Sequence, residues 1–183
     1  MTLTVAYQMD PMEGLNFAGD STFALMLSAQ ARGHINYHYT ADRLNYSDGK
    51  VWVVARPVTV QRVPGDYYNF GDPVQIDLGD DVDVVLMRQD PPFDLGYITA
   101  THLLERIEHK TLVVNNPVSV RNAPEKVFVL DFGQFMPPTL VTRSLDDVRA
   151  FHRTHGEIVI KPLHGNAGSA VMHIGRDGKT VLP

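Results

Sequence analysis

Short apolar runs alternate along this chain with longer segments whose apolar residues recur at helical spacing, a pattern that predicts strands interleaved with amphipathic helices. Residues 3–7 form the first apolar strand, which runs into Gln8-Met9-Asp10-Pro11, where proline and the nearby Gly14 enforce a loop. The following helix has a cap at Asp20 or Ser21, places Phe23, Met26 and Leu27 on one face, and ends at Arg32-Gly33. Strand, polar loop and capped helix open a βαβ unit, and in open α/β sheets ligands bind at such a loop, beyond the carboxyl end of the strand. Residues 36–43 and 51–55 read as two strands joined across Ser47-Asp48-Gly49-Lys50, a hairpin turn, with Trp52 packed beside it. Residues 57–79 lack a clear period and read as connecting structure with one more strand.

The continuous apolar run 82–87 has the pattern of a strand buried on both faces of a parallel sheet. It leads into Arg88-Gln89-Asp90-Pro91-Pro92-Phe93-Asp94, a turn stiffened by two prolines. A helix over 97–108 buries Ala100, Leu103, Leu104 and Ile107, and a strand over 111–114 feeds Asn115-Asn116-Pro117. Alternation to this point predicts a doubly wound, mostly parallel α/β sheet with a hairpin insertion, spanning residues 1–122. From residue 123 the organisation changes to α+β. Pro124 starts a helix through 132, Phe135-Met136-Pro137-Pro138 interrupts, residues 139–142 form a brief strand, and Ser144 caps a helix through 155 with Leu145, Val148 and Phe151 inward. One helix and a few short strands bury little, so residues 123–183 read as the first part of a second domain.

Composition narrows the possibilities. With 183 residues, 44% hydrophobic and 20% charged, the chain has the profile of a globular protein. It contains no apolar run long enough to cross a bilayer and opens directly on a strand, so the expectation is a cytoplasmic protein with no membrane partner. A net charge of −5 argues against a general nucleic-acid surface, and zero cysteines exclude disulfides, thiolate metal sites and a cysteine nucleophile. Any anionic ligand must be held by local groups.

Two stretches carry candidate chemistry. In Glu157-Ile-Val-Ile-Lys161-Pro162-Leu163-His164-Gly165-Asn166-Ala167-Gly168-Ser169-Ala170-Val171-Met172, an alternating run ends in a lysine, a loop of small residues follows, and a second apolar run returns. Glycines let backbone N–H groups approach a phosphate, and a lysine at a strand end adds a point charge that a nucleotide can use; the plainer alternative is a tight hairpin with a solvated lysine. Arg88, leaving a core strand, needs an anionic partner, which is either a ligand or Asp90 or Asp94 in a structural ion pair. Among the eight histidines only His34 and His38 have a spacing worth weighing for metal, and they fall at i, i+4 on a strand rather than a helix, so the histidines read as surface or packing residues and no metal ligand is assigned.

Several segments together resemble the prokaryotic glutathione synthetases of the ATP-grasp superfamily. They are Met9-Asp10-Pro11, Asp20-Ser21-Thr22-Phe23-Ala24, Leu86-Met87-Arg88-Gln89-Asp90-Pro91-Pro92-Phe93-Asp94, Val114-Asn115-Asn116-Pro117, residues 122–126, Leu140-Val141-Thr142 and Ile160-Lys161-Pro162-Leu163 with its glycine loop. The stretch from Met87 to Asp94 is the most specific, whereas Ile-Lys-Pro followed by glycines is common to many ATP-grasp enzymes. The resemblance implies a pre-ATP-grasp domain over 1–122, the start of an ATP-grasp domain over 123–183, and ATP-dependent ligation of γ-glutamylcysteine to glycine through an acyl phosphate.

It also implies roles. Lys126 and Lys161 face the nucleotide phosphates, with Gly165, Asn166, Gly168 and Ser169 in a lid over them. Lys161 and Arg88 carry the catalytic charge, and Asp20, Ser21 and Arg88 meet the peptide. ATP and Mg²⁺ are the implied cofactors, with the acidic and amide metal ligands beyond Pro183, and the family's homo-oligomers form through the amino-terminal region. The 183 residues are therefore expected not to complete catalysis alone. The family loop reads Asp-Gly-Met-Gly-Gly or Tyr-Gly-Asn-Gly-Gly, and the Ala167 found here adds a methyl and restricts φ. Another ATP-grasp ligase and a non-catalytic peptide- or nucleotide-binding module are the competing readings.

Overall fold

The computed structural model describes residues 1–164, 168 and 170–181. The chain divides into two compact units, Met1–Asn122 and Ala123–Pro183. In the first unit the elements are β1 (Thr4–Gln8), α1 (Ser21–Ala31), β2 (Ile35–Tyr39), β3 (Leu44–Ser47), β4 (Lys50–Val60), β5 (Tyr68–Phe70), β6 (Val74–Asp77), β7 (Val84–Met87), α2 (Leu95–Glu105), β8 (Leu112–Val114) and α3 (Pro117–Asn122), with single 3-10 turns at Met12–Gly14 and Ala41–Arg43. Strand order is β3-β4-β2-β1-β7-β8. β1 is parallel to β2 and β7, and β7 is parallel to β8.

Alternation along β1 divides the core between the two faces of this sheet. Val5 and Tyr7 join Phe23, Met26, Met9 and Met12 on one side, while Ala6 joins Val85, Met87, Leu104, Ile107 and Val113 on the other. The doubly wound α/β class expected from sequence is the observed one, and both helix starts follow the cap chemistry. Asp20 accepts from Phe23 N at 2.7 Å and Asp94 from Tyr97 N at 2.9 Å.

The sequence reading of residues 36–79 needs three corrections. Residues 36–43 are not one strand: the turn at Ala41–Arg43, closed by Arg43 N donating to Thr40 O at 2.9 Å, separates β2 from β3. The hairpin across Asp48-Gly49 joins β3 to β4, with φ of 51° and 80° at the two turn residues. Residues 57–79 contain two further strands as well as the end of β4, which continues through Pro57.

β4 escapes a period-2 reading because its buried positions slip by one. Val51, Val53 and Ala55 are buried, then Val58 and Val60, so the first half of the strand packs into the α2-side core and the second half into the α1-side core. Pro57 sits at the slip, opposite Tyr37, and its carbonyl accepts from Gly71 N at 2.8 Å.

The second unit contains α4 (Glu125–Phe128), a 3-10 run over Val129–Phe135, α5 (Leu145–His155), β9 (Ile158–Ile160), β10 (Met172–Ile174) and β11 (Thr180–Val181), the strands forming an antiparallel sheet in the order β11-β10-β9. The helix expected over 124–132 breaks after Phe128 and loses helical geometry at Phe132 (φ −112°, ψ 34°). Residues 139–142 form no strand, and Leu145 is 61% exposed rather than inward. Ser144 caps α5 as expected, accepting from Asp147 N at 3.3 Å. Among the described residues of this unit, Ile158 is the one hydrophobic side chain that is buried.

Candidate functional site

β1 lies between β2 and β7, which both follow it in the chain but lie on opposite sides of it in the sheet, so the carboxyl ends of β1 and β7 form a topological switch point. Arg88 N donates to Gln8 O at 2.7 Å and Met9 N to Tyr39 O at 3.1 Å, continuing both pairings just past the strand ends. Asp10 and Asp90 leave the sheet side by side, joined by Asp90 N donating to the Asp10 carboxylate at 2.7 Å.

Arg88 resolves the choice left open by the sequence. Neither Asp90 nor Asp94 pairs with it; Nε donates to Thr22 Oγ1 at 3.0 Å and Nη2 to Ser21 Oγ at 2.6 Å, fixing the guanidinium on the first turn of α1. Two hydroxyls orient the fork without neutralising its charge, leaving N–H groups available for a carboxylate. Ser21 and Arg88 thus come together. Asp20 lies next to them in sequence, but its carboxylate is engaged as the helix cap.

Several supporting residues escaped the sequence reading. Thr22 is buried. Gln8, fully buried at the end of β1, accepts from Tyr39 OH at 3.3 Å and donates its amide to Gln89, so the residue after Arg88 is tied to the core. A buried glutamine closing an apolar strand was the available signal, since a polar side chain there must be hydrogen-bonded. His38 is not a surface histidine either: its Nε2 donates to Asp10 O at 3.0 Å, which places the proton on Nε2 because a carbonyl only accepts. The β4–β5 region braces the first loop, with Tyr67 OH donating to Met12 O at 2.7 Å and its ring stacked on Phe17 at 5.2 Å.

Burial holds the His38 imidazole below the usual histidine range, against the raising pull of the Asp10 carbonyl and of Glu13. Above a pH of about 6.5 His38 is neutral both folded and unfolded and contributes no pH dependence; below it the unfolded chain takes up a proton that the folded chain resists. Stability is therefore expected to fall as pH drops below about 6.5, until the folded-state value is passed. Denaturant midpoints measured from pH 7.5 to 5 should show this, and His38→Gln should flatten that part of the profile.

In the second unit Lys126 lies on α4 and the exposed Lys161 directly follows β9. β9 and β10 pair antiparallel, with Ile160 opposite Met172, so the strand–loop–strand reading holds. Gly168 has φ +75° and Ala170 φ +55°, and Val171 N donates to Gly168 O at 3.2 Å, a loop end in left-handed backbone. Gly165, Asn166, Ala167 and Ser169 lie outside the described residues. Lysines with a glycine turn suit phosphate oxygens in kind. Among the described residues no group of three or more histidine, aspartate or glutamate side chains is placed to hold a metal ion, and none of the helices is long and apolar enough to cross a membrane.

The chain is thus an α/β unit with an arginine oriented at its switch point, followed by a unit in which two antiparallel strands flank a glycine-containing loop. Residues 3–121 match the family described as prokaryotic glutathione synthetase, N-terminal domain, and residues 125–182 match prokaryotic glutathione synthetase, ATP-grasp domain. The chain is 55% identical over 174 residues to the glutathione synthetase of Rhodopseudomonas palustris, an alignment covering 95% of this chain and 55% of that protein. It is also 55% identical over 174 residues to that of Bradyrhizobium diazoefficiens, with the same coverage, and 39% identical over 167 residues to that of Vibrio parahaemolyticus, covering 91% of this chain and 52% of the relative. The chain belongs to the prokaryotic glutathione synthetase family. It spans about half the length of the curated relatives it matches.

Proposed function

We propose that these residues form the peptide-binding part and the beginning of the nucleotide-binding part of a glutathione synthetase, which joins γ-glutamylcysteine to glycine at the expense of ATP. The observation that carries this reading is Arg88, oriented by Ser21 and Thr22 at the switch point and left without a carboxylate partner among the described residues, inside the segment matched to the family's N-terminal domain. In this reading Ser21 and Arg88 hold the peptide and Asp20 fixes the helix that presents Ser21. ATP supplies the phosphoryl group that activates the cysteine carboxylate. Lys126 and Lys161 neutralise its oxygens, and the loop containing Gly165, Asn166, Gly168 and Ser169 covers them with backbone N–H groups. The glycine amine then attacks the acyl carbon and phosphate leaves.

We assign Mg²⁺ to ligands outside the described residues. Cytoplasmic location and self-association of copies belong to the same proposal. The exposed edge strand β8, where Leu112 is 62% exposed, supports the latter.

The test is product analysis with the complete protein that carries this sequence. Glutathione should accumulate mole for mole with ADP, and only when γ-glutamylcysteine, glycine, ATP and Mg²⁺ are all supplied. ADP release indifferent to the peptide, or ligation of a different carboxylate in preference, contradicts the reading.

A further inference from the structure

Arg88 and Asp90 carry opposite charges two residues apart where the chain leaves the carboxyl end of β7 beside β1, yet among the described residues neither side chain takes part in an ion pair. The guanidinium is tied to Ser21 and Thr22, while the Asp90 backbone is tied to the Asp10 carboxylate. Gln89, between them, is anchored on the buried Gln8. The Nη1 group of Arg88 and the carboxylate of Asp90 have no hydrogen-bond partner among the described residues. The Tyr97 phenol, raised mainly by its burial, also responds to the charges of Arg88, Asp90 and Asp10, so all three share one electrostatic neighbourhood.

An oriented cation with two carboxylates nearby is poorly matched to a dianionic phosphate, which the aspartates repel, and poorly matched to an apolar group. It matches a small molecule that itself carries both charges. We propose that Arg88 and Asp90 recognise the free α-amino acid end of the peptide substrate, Arg88 taking the α-carboxylate and Asp90 the α-ammonium. This rests on the peptide-ligase reading and extends it, because it assigns the two ends of γ-glutamylcysteine. The zwitterionic glutamyl end is bound at the switch point, and the cysteine carboxylate is left for the phosphoryl group. Immobilising the guanidinium before the ligand arrives reduces the ordering cost of binding, which is the physical use of the Ser21 and Thr22 hydroxyls.

Calorimetric titration of the complete protein that carries this sequence with three probes tests this: γ-glutamylcysteine, glutarylcysteine, which lacks only the α-amino group, and 4-aminobutyrylcysteine, which lacks only the α-carboxylate. Each analogue is expected to bind roughly tenfold or more weakly than the parent. Arg88→Gln should erase the discrimination against 4-aminobutyrylcysteine and keep that against glutarylcysteine, and Asp90→Asn should do the reverse. A merely misfolded variant loses both, and Arg88→Lys, which keeps the charge, then serves as the second variant and should retain the parent's order of preference. If γ-glutamylcysteine binds and both analogues bind equally well, or if the two variants fail to separate the analogues, the zwitterion assignment is overturned while the ligase reading stands. If γ-glutamylcysteine itself gives no saturable heat, the reading on which the assignment rests falls with it.

Discussion

Arg88→Ala in the complete protein is expected to lower kcat/KM for γ-glutamylcysteine by on the order of 10²-fold, while KM for ATP stays within about twofold. The size follows from losing a charge-assisted contact whose orientation is already set by Thr22 at 3.0 Å and Ser21 at 2.6 Å. The selectivity follows from location, because the arginine lies at the switch point of the first unit and the proposed nucleotide contacts are Lys126 and Lys161 of the second. Stability should change little, since the side chain closes no ion pair among the described residues and its two acceptors are hydroxyls that can reorient. Steady-state kinetics together with a denaturant melt measure both quantities. A large loss of stability would make Arg88 a structural residue and remove it from the site.

The opposite signature is expected for Phe23→Ala. This ring is fully buried, meets Phe17 at 6.0 Å and Tyr67 at 6.2 Å, and lies under the Arg62 guanidinium at 5.8 Å. Removing a buried aromatic side chain costs about 3–5 kcal/mol, so the denaturation midpoint should drop sharply at constant slope. Phe23 also follows Ser21 and Thr22 directly and packs the helix against the loop braced by Tyr67. A repacked helix start would therefore shift both anchors of Arg88, and peptide KM should rise along with the instability. A loss of less than about 1 kcal/mol would mean that the aromatic cluster does not hold the first loop.

The parts of the fold that were legible in the sequence are those where one local rule acts alone. Asp20 caps a helix as an isolated sequence signal, Asp48-Gly49 makes the turn that its left-handed φ values require, and the apolar run ending at Met87 is a buried parallel strand. β4 was illegible beyond Ala55 because it serves both cores. Its buried positions change parity at Pro57, and a proline in a strand reads as a break unless the partner strands are known. The extra strands β5 and β6 exist only as partners of β4, so they were lost with it.

In the second unit residues 124–132 read as one helix from sequence, whereas the structure has a short α-helix followed by a 3-10 run from Val129 to Phe135. With most of these side chains exposed, no packed face selects an α-helix over a 3-10 run.

The candidate site divides in the same way. Arg88 was legible because a cation leaving a core strand must be accounted for, but its partner was not: the sequence offered Asp90 and Asp94, whereas the fold supplied two hydroxyls sixty-six and sixty-seven residues away. His38 was set aside as a packing or surface residue because its partner is a backbone carbonyl, which no motif records.

A crossed comparison of KM for γ-glutamylcysteine and KM for ATP in Arg88→Ala and Lys161→Ala of the complete protein tests the proposed division of labour between the two units. Arg88→Ala is expected to move the peptide value and Lys161→Ala the ATP value, each by about tenfold or more with the other parameter nearly unchanged. The reverse pattern, or both variants moving both parameters equally, would contradict it.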